Sequence, residues 1–535
     1  MPTGAEAITA ALEQAGVEIV FGLPGVHNLP LWDAVRQSSI RLVGVRHEQA
    51  AAYAADGYAR ATGRVGVALT TTGPGAANTL GAVGEAWASR SPVLVIATDI
   101  PTTLRRPGVH RGVLHETAGQ ADMFRPVTGE VRVVGSADEL PGVVARALVG
   151  PQALGRPVYL EVPTDLLKAE CGPGYAAVRA RAAVGKRPSR ELVAAVEAAE
   201  RPLLWVGGGA RDAAEAVDRL ARRLAAPVLT TYGGRGILPP SHPCMVVAPP
   251  HTPAAGRLWD EADLVIAIGS DFDGMTTQNW AMPQPPALVA INVDAADAAK
   301  NYRVDHLYER WADWGTDELA AALERPREPW VDTRTVRAEA CRDLDARALE
   351  FLDAVSFALP DDANVVCDMC IPGYWIGGFH AFCHPRKLQY PVGWGTLGFA
   401  FPAALGAGLA GTGPTVAICG DGGFLFACGE LATVAQERIP LTTVIVDDGG
   451  YGMLRYDQDL AGTERFGVDL HTPDFEAMAR AFGLEAETVD DVGESFGEAL
   501  ARHVADPQPS VLVAKAEALT PPPTTSPNWY RRRAH

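Results

Sequence analysis

Two stretches of the chain place aspartates where a carboxylate is expensive. Asp421 stands in ICGDGG, just past the apolar run TVAIC, and Asp448 stands in VIVDDGGYGM, just past TTVIV. Runs of Val and Ile belong inside a sheet, where an ionised carboxylate is costly unless something neutralises it. The 27 positions that separate the two aspartates hold a helix-like stretch, CGELATVAQE. The unit therefore reads strand, loop, helix, strand, loop. Both acids then emerge at the carboxyl ends of parallel neighbours, where α/β sheets bind ligands. Two carboxylates with backbone carbonyls suit a hard divalent cation, Mg²⁺ or Ca²⁺. The glycines of GDGG expose amides that can face a phosphate, which the cation can bridge. Either aspartate alone reads as an ordinary turn residue. The pair at this spacing points to metal-assisted diphosphate binding.

The elements that must position these acids repeat along the chain. At 535 residues it is too long for one core, and three domains are the natural division. The first, residues 1–170, offers the strands VEIVFGL, IRLVGV, VGVALTTTG, PVLVIATD and PVYLEVP, interleaved with Ala-rich helical patterns. A linker-like patch, CGPGYAAVRARAAVGKRPSR, precedes a second unit over 185–330 with PLLWVGGG, PVLTTYG, ADLVIAIGS and ALVAINVD. A break at ERPREPWVD leads to a third over 345–535, with NVVCDM, TVAICGDGG, LTTVIVDD and SVLVAKA, and a wrapping or fraying tail, TPPPTTSPNWYRRRAH. Strand and helix in alternation imply three consecutive α/β domains, each a doubly wound parallel sheet. A common topology for the first and third is not legible from the residues.

Composition narrows the partners. A formal net charge of -18 and a pI near 5.1 argue against nucleic acid or an anionic membrane. The opening residues MPTGAEAITAALEQAGVEIV lack a basic segment followed by an apolar run, and so read as helix and strand rather than a secretion signal. Eight sparse cysteines fit a reducing cytosol better than a disulfide framework, so a cytoplasmic location is expected. Residues 388–420 carry no charge, but their Pro and Gly density suits closely packed backbone rather than a membrane span.

GDGG followed by VDDGGYGM resembles the motif of thiamine-diphosphate-dependent enzymes, and the nearest pattern is the acetohydroxyacid (acetolactate) synthase and benzoylformate decarboxylase group. FGLPGVHNLPLWDAV, VRHEQAAAYAADGYAR, TTTGPGAANTL, INVDAADAAKNY and GWGTLGFAFPAALGA each resemble segments of that group, and together they cover nearly the whole chain. The resemblance implies aminopyrimidine-binding, central and diphosphate-binding domains in that order. It implies thiamine diphosphate and Mg²⁺ as cofactors. Asp421 and Asp448 match the side-chain metal ligands, and Gly450 the backbone carbonyl ligand. Gly420, Gly422, Gly423 and Met453 fall against the cofactor. Glu48 matches the glutamate that hydrogen-bonds N1′ of the aminopyrimidine and so promotes the ylide at C2. Leu397 matches the residue that props the cofactor in its bent form, and the carbonyl of Gly395 accepts from N4′. His27 and His115 lie where the group lines its substrate channel, and histidine there can shuttle protons or hold a carboxylate. Taken singly, each is equally a turn histidine, and Glu48 an ordinary first-turn acid. In this family Glu48 and the metal site come from different subunits, which implies a homodimer or homotetramer.

The chain departs from the pattern in several places. It has Asp447-Asp448 where the family usually has two asparagines, which adds charge beside an anionic cofactor. Thr71 replaces the histidine that benzoylformate decarboxylase carries near its GPG turn. The central domain of the group sometimes holds FAD, but both arginines of the usual GARFDDR are missing, as Asp271 and Met275, which argues against it. GGGARDAAEAV resembles a dinucleotide turn, yet Asp212 stands where its third glycine belongs. A flavin or nicotinamide oxidoreductase is the rival of another class. Cys367 and Cys370 with downstream histidines have zinc-like letters, but Cys367 closes an apolar strand. The expected substrate is a 2-oxo acid or diketone. Acetolactate-type carboligation after decarboxylation comes first, simple decarboxylation second, and C–C cleavage of a diketone third.

Overall fold

Unbroken runs of Val, Leu, Ile and Ala make strands that are buried on both faces, the signature of parallel sheets covered by helices. The computed structural model describes residues 1–523 except 107, 173–186, 325–326 and 518. Most of the linker after Cys171, and the tail beyond 523, lie outside the described residues.

The first sheet comprises β1 (Ile19–Gly22), β2 (Arg41–Gly44), β3 (Gly66–Thr70), β4 (Val93–Asp99), β5 (Glu130–Val133) and β6 (Val158–Pro163), in the order β2-β1-β3-β4-β6-β5. The second comprises β7 (Pro202–Val206), β8 (Val228–Thr230), β9 (Leu264–Ile268), β10 (Leu288–Asn292) and β11 (His306–Glu309), ordered β11-β10-β9-β7-β8. The third comprises β12 (Asn364–Cys367), β13 (Leu388–Gln389), β14 (Thr415–Gly420), β15 (Thr442–Asp447), β16 (Glu485–Val489) and β17 (Ser510–Lys515), ordered β13-β12-β14-β15-β17-β16. Every pairing within these sheets is parallel. The chain is therefore three α/β domains with parallel sheets, and the first and third sheets share one strand order. Sequence reading missed β5, β11, β13 and β16. All are edge strands, short and partly polar, so they lack the continuous apolar run that marks the central ones.

Two topologically equivalent helices join the first domain to the third. Helix Glu48–Thr62 precedes β3, and helix Ala400–Leu409 precedes β14. Both are rich in Ala and Gly because their backbones touch. A Cβ on Gly57 would sit 1.9 Å from the carbonyl oxygen of Ala403, and one on Gly406 would sit 1.8 Å from that of Ala54. That crossing explains the uncharged stretch 388–420, which folds as β13, the Gly-rich loop, this helix and β14. Among the described residues no helix is long and apolar enough to cross a membrane.

Candidate active site

β14 and β15 are hydrogen-bonded neighbours, with Gly420 opposite Val446, so Asp421 and Asp448 leave the same edge of the sheet side by side. They face one cavity of about 230 Å³, walled by Cys370, Ile371, Tyr374, Leu397, Met453 and Leu454 among others. Gly395, Gly420, Gly422, Gly423 and Gly450 line it too. Of the residues expected at the cofactor, the structure thus gathers all but Glu48 around one cavity. All its lining residues lie between Met369 and Leu519, within the third domain.

Asp421 is 1 % exposed, and its Oδ1 accepts from the Gly422 amide at 2.6 Å. Its Oδ2 is buried with no hydrogen-bond partner among the described residues. Burial, and then the charge of Asp448, push the Asp421 carboxyl up to about 7. Burial likewise raises Asp448 to about 6, against the opposing pull of Arg455. An orphaned carboxylate oxygen facing a second acid fits a divalent cation, which supplies the missing positive charge. The carbonyl of Gly450 accepts from the Gly452 amide at 3.1 Å and keeps a second lone pair for a cation.

These shifts make a pH prediction with a definite sign. In the metal-free protein the folded chain retains protons that the unfolded chain has lost above about pH 4, so stability falls as pH rises through about 6 and 7. A divalent cation requires the deprotonated acids, so its stabilisation grows over the same window. Thermal melts with and without Mg²⁺ should therefore diverge from pH 5 to pH 8. Curves that stay parallel would show that the pair does not hold the ion.

The charge departure at 447–448 is compensated locally. Asp447 is directly across from Lys515 in the β15–β17 register, and their side chains form an ion pair. Arg455, one helical turn beyond Gly452, donates to the carbonyl of Asp448 at 2.6 Å and to that of Gly449, and stands 4.0 Å from the Asp448 carboxylate. Lys515 thus meets Asp447, while Arg455, whose close ion pair is with Asp469 at 2.7 Å, offsets Asp448 only in part.

Sequence reading missed Lys515, Arg455 and also Asp368. The Asp368 carboxylate, fully buried past β12, accepts the Gly398 amide on both oxygens at 3.0 Å and so fixes the GWGTLG loop. Burial raises its carboxyl to about 6. Gly395 in that loop has φ +63°, a conformation glycine adopts without strain. A Cβ on Gly423 would fall 2.7 Å from Asp368 Oδ2 and 3.4 Å from Leu397 Cδ1, so the loop packs directly on GDGG.

The remaining expected residues collect at the carboxyl edge of the first sheet. Glu48 opens its helix, is 8 % exposed, and accepts from Asn78 Nδ2 at 2.9 Å. Asn78 follows the GPG turn of residues 73–75, which packs against Thr71 and the His115 backbone. The His27 and His115 rings meet edge to face, with centroids 5.2 Å apart, and the Nδ1 of each is buried without a partner among the described residues. Burial, and then the neighbouring His115, hold His27 below its usual pKa. Gln120 ties this edge together, accepting from the Gly73 amide at 2.5 Å and donating to Tyr159 at 2.8 Å and Glu161 at 3.2 Å. Burial and Asp99 push Glu161 up to about 7.

A second cavity, about 280 Å³, opens where the three domains meet, between Gly207, Gly208, Gly209 and Arg211 of the central domain, Arg60 and Arg90 of the first and Tyr390 and Gly393 of the third. Asp271 on its wall is paired with Lys300 at 2.7 Å. Asp212 is exposed and paired with Arg386 at 2.8 Å.

Three family models match the chain in order: the thiamine pyrophosphate enzyme N-terminal TPP binding domain over residues 2–123, the central domain over 189–315 and the C-terminal TPP binding domain over 371–514. A relative from Pseudomonas aeruginosa, described as "Probable 2-ketoarginine decarboxylase AruI", is 36% identical over 92% of this chain and 90% of its own. This chain belongs to the thiamine pyrophosphate enzyme family. This thiamine pyrophosphate enzyme is also 33% identical to the acetolactate synthase of Mycobacterium bovis, over 93% of this chain and 86% of the relative. A solved structure, the thiamine diphosphate-dependent 4-hydroxybenzoylformate decarboxylase of Rhodococcus jostii RHA1, matches with a TM-score of 0.82 and 25% identity, over 96% of this chain and 99% of that one. The enzyme is thus a lyase or transferase of the acetolactate synthase and decarboxylase group.

Proposed function

We propose that this thiamine pyrophosphate enzyme decarboxylates a 2-oxo acid and delivers a proton to the product. The observation that carries the reading is the His27–His115 pair, two imidazoles in contact beside the GPG turn and on the edge that bears Glu48. Thiamine diphosphate, when bound, supplies the nucleophilic carbon and the electron sink that the chemistry needs. Asp421, Asp448 and the carbonyl of Gly450 would hold Mg²⁺ against its diphosphate. Gly395, Gly420, Gly422, Gly423, Leu397 and Met453 would surround it. Glu48 would hold a proton at the aminopyrimidine. His27, kept neutral by burial and by His115, can accept a proton at neutral pH and pass it on.

Glu48 and the histidines reach the cofactor in a homodimer, where one chain supplies the first-domain edge and its partner the third-domain cavity. Two features support this. The cavity is walled by the third domain alone, and exposed apolar side chains flank both halves: Val26, Leu29 and Leu114 near the histidines, Phe426 and Leu454 near the cavity. Exposed apolar clusters of this kind mark interaction surfaces.

Carboligation of the acetolactate type is the second reading, favoured by the similarity to acetolactate synthases. The deciding experiment supplies thiamine diphosphate, Mg²⁺ and a panel of 2-oxo acids, with and without a second 2-oxo acid or aldehyde, and identifies products by NMR. An aldehyde with one CO₂ supports decarboxylation. A 2-hydroxy-3-oxo acid from a 2-oxo acid acceptor, or a 2-hydroxy ketone from an aldehyde acceptor, supports ligation instead. No turnover of any 2-oxo acid would overturn both.

A further inference from the structure

Glu430 is a buried acid of the third domain whose hydrogen bonds lead into the first. It is 2 % exposed and closes the short 3-10 turn Cys428–Glu430 before helix Leu431–Glu437. Its carboxylate accepts the backbone amide of Arg46 on both oxygens, at 2.9 and 3.1 Å, and that of His47 at 3.0 Å. The Thr433 hydroxyl donates to it at 2.5 Å. Arg46 and His47 are the two residues immediately before Glu48, and His47 is the N-cap of the helix that Glu48 opens. Further contacts reinforce the joint: the Arg46 guanidinium donates to Gln436 at 2.7 Å, and Arg41 pairs with Glu437 at 3.2 Å.

Burying a carboxylate is costly, and here the compensation comes mainly from two backbone amides and the Thr433 hydroxyl, with the Arg46 charge a smaller contribution. Those amides belong to one dipeptide, held in extended conformation with His47 at φ -145° and ψ 140°. Two neighbouring amides gripped by one carboxylate fix where the chain turns into the helix, and so where the first side chain of the helix points. That side chain is Glu48. The grip comes from a segment that starts at Asp421, nine positions before Glu430, and runs without a long loop through helix Asp421–Leu425.

We propose that Glu430 is a positioning residue for Glu48, orienting it through the amides of Arg46 and His47. The assignment rests on the proposed role of Glu48 toward thiamine diphosphate. A misplacement of about 1 Å in such a group costs about a hundredfold in rate, and loss of an outer supporting partner about tenfold to a hundredfold. The carboxylate also sits at the N-terminus of a helix of 15 residues, where an anion is favourable. Its removal therefore loosens the joint in the apoprotein as well.

The test compares wild type with Glu430→Gln and Glu430→Ala. In cofactor-free protein, amide hydrogen exchange at Arg46 and His47 should be at least about tenfold faster in Glu430→Ala, reporting local opening. With thiamine diphosphate and Mg²⁺ bound, deuteration at cofactor C2 should slow by about tenfold to a hundredfold, with cofactor affinity and KM unchanged. Glu430→Gln, whose amide oxygen can still accept, should fall between the two; it carries the test if Glu430→Ala fails to fold. Wild-type C2 deuteration in variants whose Arg46 and His47 amides exchange fast would overturn the assignment and leave the proposed function standing. A wild-type protein that binds no thiamine diphosphate would overturn both.

Discussion

Glu48→Gln is expected to slow turnover of a 2-oxo acid by about 10²- to 10⁴-fold, the usual contribution of one placed acid–base group. Binding of thiamine diphosphate should survive, because the cavity that would hold the diphosphate and metal is walled by residues 369–519 and none of them changes. The amide fills the same space and can still accept from Asn78, so the fold should be intact. What it cannot do is exchange a proton. Deuteration at C2 of the bound cofactor, followed by NMR, isolates this step from substrate chemistry; a wild-type rate would remove Glu48 from the mechanism. The same variant tests the shared site. Mixing inactive Glu48→Gln with inactive Asp421→Ala subunits should restore activity in hybrid dimers, which contain one cavity with both wild-type halves. No recovery after proven subunit exchange would place the site within one chain.

The second large effect is expected at Asp448. With Asp448 in its proposed role as a metal ligand, Asp448→Ala should nearly abolish cofactor retention, whereas Asp448→Asn keeps a side-chain oxygen and should remain functional. Unit charges about 4 Å apart interact by about 4 kcal/mol at an effective dielectric near 20, so losing one carboxylate should weaken the cation measurably. The same loss relieves repulsion of the diphosphate. Arg455, 4.0 Å from the carboxylate, blunts both effects without cancelling them. Separate titrations of Mg²⁺ and cofactor on the three proteins distinguish these contributions. An alanine variant that binds both like wild type would make Asp448 a turn residue.

What the residues disclosed beforehand, and what they hid, follows from the range of the interactions. β14 and β15 were legible because each is an uninterrupted apolar run, and Asp421 and Asp448 because a charge at the end of such a run is conspicuous. Glu48 was legible only through its surrounding motif, since an acid in a first helical turn is commonplace. Lys515 was not, because only the register of β15 on β17 brings it to Asp447, 68 positions away. Asp368 hid among the letters of CDMC, whose cysteines drew attention from the acid between them. Glu430 hid inside a stretch read simply as helix, because its partners are backbone amides, which no side-chain pattern reveals.

The common strand order of the first and third sheets makes the chain an internal pseudo-repeat. Two sheets of six strands have the order 2-1-3-4-6-5, each with an Ala- and Gly-rich helix before its third strand. The two units differ at matching places. The third strand ends in Gly420 before Asp421 in the later unit, but in Thr70 before the GPG turn in the earlier one. The fourth strand ends in aspartate in both, Asp447 paired with Lys515 and Asp99 paired with Arg105. Asp421 follows the third strand in the third domain alone, and the proposed division of labour sets it against Glu48 and the histidines of the first.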